Sequence, residues 1–221
     1  MRFFKTVAVS VIAVVFAAAI LFMPMNANAA KKGFEETPPP ESPGQITGLK
    51  PVSPQPGPDN VTPGLAVTYV FGKWRHLDDM PGPADPPDKA DDPHRSGPPI
   101  LSLDHQFGSG SIFDSGRTCC VGAHITGLIR FPSAGEYQFQ ALSNDGVRVL
   151  VGGKVVVEDP AQHGDRLSVP SRVTIGESGW YSLEVKYYQR KGTGALRLLW
   201  QPPGSSEFQP VPADALGMLK K

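Results

Sequence analysis

Six aspartates fall within residues 73–99. Hard oxygen ligands in that number could hold calcium, which takes about six to eight of them. Their spacing does not match an EF-hand, and seven prolines in the same stretch make a solvated loop the competing reading. The five histidines, His76, His94, His105, His124 and His163, show no two-histidine metal spacing, and no serine sits in a nucleophile elbow. His163 lies between Asp159 and Asp165, a grouping open to acid–base work or to an ordinary exposed loop. Gly108-Ser109-Gly110 lacks the phosphate-binding fingerprint and the helix that should follow it. A glycosidase needs two carboxyl groups facing across a cleft, which loop acids alone do not establish. These patterns point away from an enzyme.

The two cysteines, Cys119 and Cys120, are adjacent. Neighbouring Cα atoms lie about 3.8 Å apart, below the usual disulfide range of about 4.4–6.8 Å. An ordinary loop-closing disulfide within one chain is therefore ruled out. Free thiols, a strained vicinal bridge and links to another chain stay open, beside the plain reading of two small residues on a strand. Cys-x-x-Cys spacing is missing, so zinc has no support.

Composition sets the frame that must position any site. Twenty-one basic and 21 acidic residues in a chain of 221 give no net charge, which argues against a nucleic-acid partner. Glycine and proline number 24 each, too many for a protein of long helices. A hydrophobic share of 40% is enough for a core and excludes wholesale disorder.

Residues 1–29 read as a secretory signal peptide. Arg2 and Lys5 precede a 16-residue apolar run, Val7 to Phe22, interrupted only by Ser10; Pro24 and the cleavage triplet Ala27-Asn28-Ala29 follow. A membrane span needs roughly 20 residues, so no stable membrane insertion is expected after cleavage. The mature protein is expected to be secreted or periplasmic. Residues 30–63 carry nine prolines and read as an extended linker.

From Gly64 onward, apolar residues alternate with polar ones. Leu65, Val67 and Tyr69 mark a first strand; residues 73–99 follow as a Pro/Asp-rich loop insertion. Ile125, Ile129 and Phe131 share one face, as do Tyr137, Phe139 and Ala141 on the next strand. Val147, Val149 and Val151 run to Gly152-Gly153, a tight-hairpin signal. Tyr181, Leu183, Val185 and Tyr187, then Leu196, Leu198 and Trp200, close the pattern. Short strands between Gly, Pro and Asx turns predict an all-β antiparallel sandwich or barrel over 64–214, with 215–221 as a C-terminal tail.

Taken in order, these segments resemble the protective-antigen-type (PA-fourteen) domain family. The carriers are Gly64 to Tyr69, Gly127 to Phe139, Ser143 to Lys154, Gly179 to Tyr188, Ala195 to Trp200, and Phe208 to Pro212. The resemblance implies a non-catalytic β-sandwich that binds a glycan or polysaccharide in lectin-like adhesion. It also implies a calcium site on two adjacent aspartates, with sugar hydroxyls completing the shell. The matching pair here is Asn144-Asp145, where asparagine supplies one carbonyl oxygen in place of a carboxylate. Glu158, Asp159 or Asp165 would be supporting ligands, and Asn-Asp-Gly is equally a good turn sequence with no metal. Aromatic rings stack on pyranose faces, and Trp74, in the insertion, is the expected platform; Trp180 and Trp200 are expected in the core. The alternative is a structural or protein–protein interaction module with a protein partner.

Overall fold

The computed structural model describes residues 37–38, 40–87 and 92–220. The signal peptide expected at 1–29 lies outside them. The chain opens with β1 (Gln45–Ile46), β2 (Val61–Pro63), β3 (Ala66–Phe71), β4 (Arg95–Ser96) and β5 (Asp104–Gly108). The long central strands are β6 (Val121–Phe131), β7 (Gly135–Asn144), β8 (Val147–Val151) and β9 (Lys154–Asp159). Then come β10 (Arg166–Leu167), β11 (Ser171–Ile175), β12 (Gly179–Gln189), β13 (Gly194–Gln201), β14 (Gln209–Pro210) and β15 (Leu216–Leu219).

They form two sheets, as the alternation predicts. One runs β1-β11-β7-β13-β14, with β10 beside β7 and β5 beside β13; the other runs β2-β15-β6-β12-β8-β9, with β3 on β6 and β4 on β3. Pairing is antiparallel except for β1, which lies parallel to β11. The inward residues of each strand meet between the sheets, so Ile125, Ile129, Phe139, Val149, Val185 and Leu198 belong to one continuous buried cluster. Gly152 and Gly153 both take positive φ (56° and 76°), the geometry a two-residue hairpin requires between β8 and β9.

Aromatic packing fixes one end of the sandwich. Phe131 meets Tyr137 edge-to-face at 4.9 Å and Tyr181 at 5.2 Å, contacts worth about 0.5–1.5 kcal/mol each beyond their buried area. Each tyrosine also closes the turn that precedes it. Tyr137 donates its hydroxyl to the Ser133 carbonyl (3.1 Å), and Tyr181 to that of Glu177 (2.7 Å).

Two expectations about the flanks are corrected. The segment 30–63 does not act as a free spacer over its described part. Ile46 and Leu49 are buried, β1 extends the edge of β11, and β2 pairs with β15. Most of its prolines fall between these short pairings and Pro63 ends β2, so extended backbone is compatible with docking. The tail expected at 215–221 contains β15, whose Leu216 enters the core opposite Ile129. Four residues containing a glycine are too short to register as a strand by periodicity.

The first part of the 73–99 insertion packs against the sandwich. Trp74, Leu77 and Met80 form a second buried cluster with Val70 and Tyr188. Gly122 makes the approach feasible: a Cβ there would fall 2.2 Å from Met80 Sδ.

Candidate functional site

At the end of the sandwich away from the aromatic turns, the chain crosses from one sheet to the other between β7 and β8. Residues 144–146 make that corner. Gly146 is required there, because a Cβ would lie 2.6 Å from both the Pro160 carbonyl oxygen and the Tyr188 ring. The Asn144–Asp145 peptide is cis. The backbone is clamped on both sides: Asp145 N–H donates to the Tyr188 carbonyl (3.0 Å), Tyr188 N–H to that of Gly146 (3.1 Å), and the Tyr187 hydroxyl to that of Asn144 (2.7 Å).

The side chains diverge from this clamp. Asn144 donates its amide N–H groups to Asp165 Oδ1 (2.8 Å) and Thr193 Oγ1 (3.3 Å). Asp145, 1% exposed, accepts the Arg190 backbone N–H at 2.7 Å. Burial pushes its carboxyl above the ordinary value, opposed by the backbone N–H groups of Arg190, His163 and Lys191 and by the nearby His163. Burial, reinforced by the Asp145 charge, likewise raises the Tyr187 and Tyr188 hydroxyls.

Of the three acids expected to support this pair, only Asp165 reaches it. Glu158 is held by Arg148 through two bonds of 2.7 and 2.6 Å. Asp159, fully buried, is held by Arg166 through two more (2.9 and 2.5 Å), with His163 Nε2 at 3.4 Å. Asn144 directs amide hydrogens, not its oxygen, at Asp165. Among the described residues no group of three or more His, Cys, Asp or Glu side chains is placed to hold a metal ion.

What the corner does offer is unsatisfied polarity. Ser143 Oγ, Gln162 Oε1, Tyr188 OH, Gln189 Oε1 and Arg190 Nε are buried without a hydrogen-bond partner, and His163 Nε2 has only its 3.4 Å approach to Asp159. Ser143, Gln189 and Arg190 flank the clamp along the chain, whereas Tyr188 belongs to the second cluster beneath the insertion. A buried polar atom with no partner costs about 1–3 kcal/mol unless ordered water answers it. Asp165 and residues 191–193 form an exposed rim beside the corner.

Trp74 is corrected as a sugar platform. It is only 6% exposed, and its indole packs into the second cluster under the insertion. Trp180, expected in the core, instead projects from the outer face of its sheet beside Arg130 and is half-buried. The alternation carried that signal: with Tyr181 and Leu183 facing in, Trp180 must face out. Trp200 is buried as expected.

The fold is a two-sheet β-sandwich. Residues 113–214 match the family model of the PA14 domain. Solved structures share the fold. The A domain of epithelial adhesin 9 from Candida glabrata, in complex with Galb1-4GlcNAc, superposes with TM-score 0.56 at 14% identity, covering 80% of this chain and 96% of that one. The PA14 sugar-binding domain from an RTX adhesin does so at 0.50 and 18%, covering 71% and 99%. An anti-sigma factor domain-containing protein from Clostridium clariflavum scores 0.57 at 17%; 72% of this chain is covered, and it spans 48% of that protein. No curated protein matches the sequence. Among the described residues no helix is long and apolar enough to cross a membrane.

Proposed function

We propose that this chain is an extracytoplasmic, non-catalytic carbohydrate-binding module of the adhesion type, with its sugar site at the 144–146 corner. The carrying observation is the clamped Asn144–Asp145 corner with its polar lip, flanked by buried donors such as Arg190 Nε and acceptors such as Gln162 Oε1. A sugar hydroxyl both donates and accepts, so a few hydroxyls answer such a mixed set where a purely anionic or cationic ligand would not. The sugar complex of one structural neighbour and the sugar-binding domain that is another support the same class of ligand. Asn144, Asp165 and Thr193 form the polar lip through which a sugar would enter. The reading calls on these side chains alone, without calcium.

A protein-interaction module is the second reading, favoured by Leu101 and Leu219, which are 61% and 56% exposed. Calorimetric titration of a glycan panel, with calcium and then with chelator, separates the two. Saturable binding that survives chelator and weakens at least about tenfold in Asn144→Ala is the expected result. Loss of binding in chelator overturns the calcium-free site. Absence of binding to every glycan overturns the sugar reading and leaves the protein-interaction one.

A further inference from the structure

A second surface, at the opposite end of the sandwich, is built for a ligand of its own. Trp180 on β12 and Arg130 on β6 are cross-strand neighbours on the outer face of the larger sheet, next to the turns closed by Tyr137 and Tyr181. The proline-rich segment runs past them and makes a wall of Pro56, Pro58 and Pro63. Asp214 stands on another side, and the groove so formed has a volume of about 560 Å³. That falls within the range of about 300–1,000 Å³ typical of small-molecule sites. A smaller depression of about 260 Å³, lined by Pro132, Pro212 and Trp200, shares Arg130 and Asp214 with it.

The backbone of Trp180 is clamped and its ring is free. Gln55 accepts the Trp180 N–H (2.8 Å) and donates to its carbonyl (3.0 Å), which also takes the Val52 N–H (2.9 Å). The indole reaches toward Gly217, where a Cβ would come within 3.3 Å of Trp180 Cη2, so the missing side chain leaves it room. Among the described residues neither the Arg130 guanidinium nor the Asp214 carboxylate takes part in a hydrogen bond or ion pair. Both are exposed. An aromatic face, a five-hydrogen donor and a carboxylate acceptor thus share one groove, walled by the docked segment that pairs β2 with β15.

We propose that this groove is a second saccharide site, independent of the 144–146 corner, that takes a neutral pyranose with its apolar C–H face on Trp180. Arg130 donates to ring hydroxyls and Asp214 accepts from them. The opposed charges cancel, which favours a neutral sugar over a uronic acid or an amine. The adjoining depression gives room for a neighbouring residue of an oligosaccharide. With a site at each end, one chain would engage two glycan strands at once and gain avidity from doing so.

The spectroscopic contrast among the three tryptophans tests it. Trp74 and Trp200 are buried, so Trp180 is the reporter of the groove, and the Trp200 signal should move only where a longer oligosaccharide fills the adjoining depression. The full chain, labelled with ¹⁵N, is titrated with cello-, xylo- and galacto-oligosaccharides while the indole N–H signals are followed. Saturable movement of the Trp180 signal, unaffected by Asn144→Ala, is expected, with affinity reduced at least about tenfold in Trp180→Ala and in Arg130→Ala. Trp180→Phe should keep a good part of it. A Trp180 signal that stays still with every sugar overturns the groove, as does movement with unchanged affinity in both Trp180→Ala and Arg130→Ala. Binding lost only in Asn144→Ala would leave the corner standing and remove the groove. Binding lost only in the groove variants would do the reverse, and no binding anywhere would remove both.

Discussion

Trp74→Ala distinguishes a buried anchor from a surface platform. The indole is 6% exposed and packs with only four other buried side chains, Val70, Leu77, Met80 and Tyr188, beneath a loop. Full truncation of a core tryptophan costs about 3–5 kcal/mol, and the loop can partly collapse into the space, so the low end, about 3 kcal/mol, is expected. For a domain of this size each kcal/mol lowers Tm by about 2–4 °C, which gives a fall of about 6–12 °C. Differential scanning calorimetry reads it directly. Limited proteolysis should show earlier cleavage within 73–99, because the same ring anchors that segment. Glycan affinity measured well below the new Tm should stay within about twofold of the parent. A variant that keeps its Tm within about 2 °C and yet loses glycan binding would refute the packing argument and restore Trp74 to the ligand.

Gly122→Ala should disturb the same insertion from below, since the new methyl meets Met80 Sδ at 2.2 Å and Val70 Cγ2 at 2.8 Å; a loss of about 1–3 kcal/mol in urea denaturation is expected. Asp145 should make stability fall as pH rises. Its folded carboxyl is raised above the ordinary 3.8 by burial, so between those two values the folded state holds a proton that the unfolded state has released. Denaturation midpoints from pH 3 to 7 should show this downward contribution, and it should vanish in Asp145→Asn. The Cys120 thiol, pushed up to about 11 by burial and by its neighbour Cys119, should react sluggishly with iodoacetamide at pH 8 and accelerate only toward pH 11. Fast labelling of both cysteines at pH 8 would contradict that environment.

The sheets were legible because period two is a local signal: every inward residue named on β7, β8, β12 and β13 is buried. The site was legible only in part, because its partners meet through register. Arg148 faces Glu158 because a bulge between Val149 and Leu150 shifts the β8–β9 hairpin by one residue; the bare Gly152-Gly153 turn would set Arg148 opposite Val157. No feature of the sequence announces that bulge, so Glu158 was expected at the ion and is found on an arginine. Asp165 reaches Asn144 through the short pairing of β10 with β7, two residues long and invisible to periodicity. The tryptophans went astray for another reason. Trp74 lies in polar sequence and Trp180 in a strand, and general burial tendencies outweighed the alternation that placed Trp180 outside.

The route of the chain before Gly64 has a bearing on how copies of this protein meet. β1 lies against β11 and β2 against β15, so a single stretch of chain occupies one border of each sheet. Those borders would otherwise present rows of open N–H and C=O groups, the template on which strands of different molecules zip together. Proline cannot donate to a further strand, and Pro43, Pro51, Pro54, Pro56, Pro58 and Pro63 punctuate the covering segment. The docked stretch therefore acts as a selvedge, finishing two raw hems so that crowded neighbouring molecules find little backbone to stitch onto.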